Sequence, residues 1–359
     1  MKESARKPII ENVQLLRFVA AFLVVIAHSV DLTLKQHPDF SIPQNIGNFG
    51  ASGVDIFFVI SGFIITAVAT NSTKTPAQFG ADRIKRVVPL YWIASLPWII
   101  FALIEGTLWV RALFVTITFW PAVGTQTVLP VLPIGWTLCF ELLFYFAICL
   151  FLLAGRSTAA AWGLVGTFAL SWAGLELTDG TFFQFLGNPI ILEFLFGVLI
   201  ALLAPRTPRW TALPFLLISA FWFAATIAFG FGDISESHLI INGALSLDRV
   251  LLWGVPSALL VSSAVSSANW LKGISARTSV FLGDASYSTY LVHLLALAAV
   301  GQLSAVVPMA PLPLFIVAVV SGQMAGLICH LFLERPLRNY LTKTRPAVDS
   351  SQLPLESRH

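Results

Sequence analysis

Charge is scarce in this 359-residue chain. Its 21 Lys and Arg and 18 Asp and Glu make up 11% of the residues, against roughly 25% in soluble domains. So few charges cannot wet the surface of a soluble globule of this length. The net charge is +3 and the basic residues fall in short clusters, which excludes the cationic stripe of a nucleic-acid binder. Cysteine is nearly missing. Cys139, Cys149 and Cys329 each lie inside an apolar run, so neither a disulfide framework nor a zinc spacing exists. The chain also lacks HExxH, a GxSxG elbow, a Walker loop and any Cys/His cluster, so soluble-type hydrolase, ATPase and zinc chemistry are disfavoured and no metal is expected. No internal repeat supports an inverted-repeat transporter. What is present is apolar: 57% hydrophobic residues and a mean hydropathy of +0.83. The 20 prolines and 24 glycines suit membrane helices, which tolerate both.

A hydrocarbon core of ~30 Å takes about 20 mostly apolar residues per helix. Ten such stretches stand near 13–31, 53–70, 87–105, 136–154, 159–177, 189–204, 211–230, 250–267, 284–304 and 312–333. The expected fold is all-α and polytopic. With the N-terminus inside, 17 Lys and Arg fall in cytoplasmic segments, three (Lys35, Arg111, Arg249) fall outside, and Arg17 lies within the first span. That bias follows the positive-inside rule and puts both termini in the cytoplasm. Residues 107–120 are apolar but short, and counting them as a span would destroy the bias, so they read as a re-entrant or interfacial helix. Residues 1–345 are expected to form a single transmembrane domain, and 346–359 a disordered cytoplasmic tail. The longest outer loops, near 32–52, 106–135 and 231–249, are natural places to meet an extracytoplasmic substrate.

Ionisable groups inside spans are costly and mark cavities or partners. Arg17 and His28 are 11 residues apart, ~16 Å of rise, and return to one helix face within about 20°. They read either as a polar stripe or as separate interfacial residues. Asp55 opens the second span at about the depth of His28, where it either pairs with the imidazole or stabilises a helix start. Ser61 and Gly62 read as close packing. Arg83 and Arg86, spaced i, i+3, share a face suited to phosphates, though such clusters also anchor ordinary spans. Glu141 lies one turn into the fourth span, near its outer end. Glu193 is similar. His293, near mid-depth, reads equally as structural or catalytic, and His330 with Glu334 as a helix-end pair.

In order, LLRFVAAFLVVIAH, GVDIFFVISGFIIT, RIKRVVPLYW, GWTLCFELLFY, GDASYSTYLVHLL and LERPLRNY resemble the acyltransferase 3 family of bacterial membrane O-acyltransferases. The resemblance runs from about residue 10 to 341, without the periplasmic hydrolase-like domain fused to some members. It is therefore similar to the stand-alone members that modify exopolysaccharides, Nod factors or macrolides. The resemblance implies a multi-pass protein of the bacterial inner membrane that moves an acyl group, usually acetyl from acetyl-CoA, to a carbohydrate hydroxyl. It implies a reaction centre at Arg17 and His28, CoA phosphates at Arg83 and Arg86, and a polar pocket near the outer side supported by Asp55 and Glu141. The lipid bilayer, a carbohydrate acceptor and polysaccharide assembly proteins would be its partners. Two rival readings use the same residues: a transporter or flippase for a lipid-linked sugar, and a non-catalytic subunit of an assembly complex.

Overall fold

The computed structural model describes residues 11–41, 44–155, 180–230, 235–267 and 274–343, with isolated positions between 162 and 170. Among the described residues, nine helices are long and apolar enough to cross a membrane. Each answers one of the expected spans. The tenth expectation, 159–177, lies outside the described residues apart from those isolated positions, as does the tail 346–359. Among the described residues the chain is all-α save one hairpin of two-residue strands, β1 (Ala122–Val123) antiparallel to β2 (Gln126–Thr127). In lipid, helices satisfy every backbone group internally, so long apolar runs have little alternative.

The helices are α1 (Glu11–Gln36), α2 (Gln44–Asn71), α3 (Pro76–Ile104), α4 (Val110–Thr118), α5 (Trp136–Leu153), α6 (Thr181–Leu186), α7 (Ile191–Leu203), α8 (Ala212–Phe229), α9 (Ser237–Ile241), α10 (Ser246–Arg249), α11 (Val255–Ser266), α12 (Ile274–Val306), α13 (Pro311–Cys329) and α14 (Arg335–Lys343). π-Helical turns, Val250–Gly254 and His330–Glu334, join α10 to α11 and α13 to α14. The helix within 107–120 is nine residues long. At 1.5 Å per residue it reaches only ~14 Å, too little to cross. Thr116 fastens it: its carbonyl accepts from Trp92 Nε1 at 3.1 Å, and its hydroxyl accepts from the Val131 amide at 2.8 Å.

α1 and α2 form the centre. α1 packs on α2, α12 and α13, and α2 also packs on α7. Between lipid-embedded helices there is little hydrophobic drive, so association depends on close van der Waals contact through small residues. A Cβ on Gly62 would overlap the Phe194 carbonyl, one on Gly197 the Val59 carbonyl, and one on Gly53 the Ala20 carbonyl. Aromatic rings fill the adjoining space, with Phe58 and Phe144 at 4.7 and 5.0 Å from Phe194. Large apolar side chains also face outward: Ile104, Phe221 and Phe229 are each more than 75% exposed. That outer coat fits lipid.

Candidate functional site

Two cavities lie along α1, and Val54 and Tyr290 belong to the walls of both. The first, about 110 Å³, gathers three guanidinium groups and one carboxylate: Arg17 of α1, Arg83 and Arg86 of α3, and Glu141 of α5. Ser61, Thr137, Tyr145, Tyr287 and Tyr290 complete its polar lining. Glu141 Oε1 accepts from the Tyr145 hydroxyl one turn on and from Ser61 Oγ at 3.2 Å. Arg17 donates to Gln14 Oε1 at 3.0 Å. The Arg83 guanidinium lies 5.2 Å from the Phe79 ring centroid, and its buried Nε has no partner among the described residues. Two positive charges remain in excess of Glu141. Such a chamber favours an anionic guest.

The second cavity, about 590 Å³, is walled by His28, Asp31, Trp136, Glu236, Arg249 and Tyr290 among others. His28 Nδ1 stands 2.9 Å from the Val24 carbonyl and 3.3 Å from His293 Nε2. His293 is fully buried, and its Nδ1 lies 2.7 Å from the Tyr290 carbonyl and 3.2 Å from that of Thr289. The Tyr290 hydroxyl donates to the Ile134 carbonyl at 2.9 Å and sits 2.9 Å from Thr137 Oγ1.

Arg17 and His28 therefore line different cavities that share a wall, so the stripe on α1 joins two chambers. Arg83 and Arg86 share the first cavity with Arg17, inside α3 rather than at its mouth. Two expected placements are corrected. Asp55 does not pair with His28: Arg249 Nε and Nη2 each donate to its carboxylate at 2.8 Å, a bidentate bridge buried on both sides. A guanidinium matches both carboxylate oxygens, which an imidazole cannot do. Glu141 does not reach the His28 chamber either. α5 starts at Trp136, on the second cavity, and five residues carry Glu141 ~7.5 Å farther along the helix, into the first cavity.

Sequence reasoning passed over Arg249 as an outer-loop cation, Ser61 as packing, and Tyr287 and Tyr290 altogether, and took Tyr145 only as a neighbour of Glu141. Tyr145 had a signal, the i, i+4 spacing from Glu141. Arg249 and Asp55, 194 residues apart, had none. Glu193 is fully buried, without a hydrogen-bond partner for its oxygens among the described residues, and it fills the space left by Gly254. His330 and Glu334 do pair, at 2.6 Å, with Ser288 Oγ donating to the same Glu334 oxygen. No group of three metal-ligating side chains occurs among the described residues.

Residues 10–329 match a family described as an acyltransferase domain. Among characterised proteins, the exopolysaccharide production protein ExoZ of Rhizobium meliloti (strain 1021) is 34% identical over 303 residues, covering 80% of this chain and 89% of ExoZ. No solved structure matches.

Proposed function

Because the chain belongs to the acyltransferase 3 family, we propose that it is a membrane O-acyltransferase moving a short acyl group, acetyl foremost, from acyl-CoA to a carbohydrate hydroxyl. Exopolysaccharide or its lipid-linked precursor is the acceptor class, in keeping with the similarity to ExoZ. The observation that carries the reading is the pair of adjoining cavities, one cationic and one holding an imidazole. Arg83 and Arg86 suit the phosphates of a CoA, and the modest first chamber suits a small acyl group beside Arg17. The charge bias in the loops sets the arginine end toward the cytosol, where acyl-CoA is found, and the His28 end toward the far side.

The chemistry asked of these residues is limited. A sugar hydroxyl is a poor nucleophile at neutral pH and needs a base within hydrogen-bond reach. His28 Nε2 takes the hydroxyl proton as the oxygen bonds to the acyl carbon. The carbon–sulfur bond breaks, and the proton passes from the imidazolium to the leaving thiolate. Tyr290, in the wall common to both chambers, stands nearest the place where the carbonyl oxygen gains charge, with Arg17 on the first-chamber side of it.

Binding of CoA tests the donor assignment and separates an acyltransferase from a flippase, which has no use for CoA. Charge-assisted hydrogen bonds contribute about 1.5–3 kcal/mol each. Arg83→Gln combined with Arg86→Gln is therefore expected to weaken CoA at least about a hundredfold by calorimetry on protein in nanodiscs. An unchanged Kd, or no CoA binding by the wild type, overturns the assignment.

A further inference from the structure

We propose that His293 is the positioning residue that fixes the tautomer of His28 and presents its Nε2 as a bare lone pair. The inference rests on the reading of His28 as the base and adds a residue to it.

Hydrogen-bond polarity carries the case. Both neighbours of His293 Nδ1 are backbone carbonyls, of Tyr290 at 2.7 Å and Thr289 at 3.2 Å. Carbonyls only accept, so His293 Nδ1 bears the hydrogen, and neutral His293 keeps a lone pair on Nε2. That lone pair stands 3.3 Å from His28 Nδ1, whose other neighbour, the Val24 carbonyl at 2.9 Å, is again an acceptor. His28 Nδ1 faces two acceptors and so carries its hydrogen too. Nε2 is then the nitrogen left to take a proton. A second ring bonded to the far nitrogen of a base sets its tautomer and supports the imidazolium that forms. Here the supporting group is a neutral imidazole where a carboxylate is the commoner choice.

The fold invests in this contact. α12 and α1 carry the two rings, 5.0 Å apart between centroids, and Gly322 of α13 lets that helix close on both: a Cβ there would lie 2.8 Å from Val25 Cγ1 of α1 and 3.3 Å from Leu297 Cδ1 of α12. His293 is also one turn from Tyr290, which lines both cavities. A ring serving only to fill volume would not need its three polar contacts aligned in this sense.

The test compares His28→Ala, His293→Leu and His293→Gln in transfer of radiolabelled acetyl-CoA to membrane polysaccharide, alongside nitrogen NMR of histidine-labelled wild type. The amide oxygen of Gln reaches the position of Nε2 and can accept from His28. His293→Leu is expected to lower kcat about a hundredfold with KM for acetyl-CoA unchanged, and His293→Gln to recover at least about tenfold of that loss. The wild-type spectrum is expected to show His28 protonated at Nδ1 and bare at Nε2. Full activity of His293→Leu, a Gln variant no better than Leu, or a His28 ring protonated at Nε2 overturns the proposal. Survival of activity in His28→Ala instead overturns the base assignment beneath it. The wild-type spectrum needs no variant, so a misfolded Leu protein leaves the question decidable.

Discussion

At the residue scale, the bidentate bridge between Arg249 and Asp55 takes two opposite charges out of solvent together, since both side chains are essentially fully buried. Removing one partner strands the other charge, at about 3–5 kcal/mol, whereas replacing both with apolar groups is often close to neutral. Asp55→Asn and Arg249→Met are each expected to lower the thermal unfolding midpoint of detergent-solubilised protein sharply. Asp55→Leu with Arg249→Met should recover much of that loss, and additive single effects in such a cycle would contradict the bridge. Asp55 was legible in the sequence as a polar residue out of place at the start of a span, but its partner was not. The bridge joins residues far apart in the chain, and a lone Arg beside a span reads the same whether it anchors at the interface or is drawn into the bundle. Arg17 and Glu141 were legible for the converse reason, each standing alone in a run of apolar residues where a charge needs a cavity, and Arg83 and Arg86 were legible by their i, i+3 spacing within a charged cluster. What the sequence could not supply was which of them share a cavity.

At the element scale, α2 is held to α7 by glycines whose missing side chains let backbone meet backbone. Gly62→Val or Gly197→Val must push the two helices apart. Overpacking of this kind costs typically 1–3 kcal/mol and here meets main chain, which cannot rotate aside. The variants are expected to unfold at lower temperature than Gly166→Ala, a replacement at an exposed helical position with open space around it. Equal or higher midpoints would show that the seam tolerates separation. Hydropathy located the nine described spans well but not their ends. α3 was expected from 87 and begins at Pro76, where Thr75 and Gln78 form a reciprocal cap. Helix geometry does not stop where the apolar residues do. That extension puts Arg83 and Arg86 within α3, on the shared helix face their spacing had suggested, and the short reach of α4 was readable from its length alone.

At the scale of the whole molecule, a helix bundle in lipid carries two polar chambers that touch at Val54 and Tyr290, with α1 contributing Arg17 to one and His28 to the other. The family was readable because six motifs fall in order across nearly the entire chain. The division of labour between chambers was not, because depth along a helix says nothing about which neighbouring helix closes the space. If the arginine chamber takes the donor and the imidazole performs the transfer, binding and chemistry must be separable by a single substitution. The most direct measurement is therefore His28→Ala in nanodiscs, assayed for CoA binding and for transfer of radiolabelled acetyl-CoA to membrane polysaccharide. CoA affinity is expected to stay within about twofold while transfer falls at least about a hundredfold, the usual contribution of a positioned base. Transfer at the wild-type rate, or loss of CoA binding together with transfer, would contradict the two-chamber account.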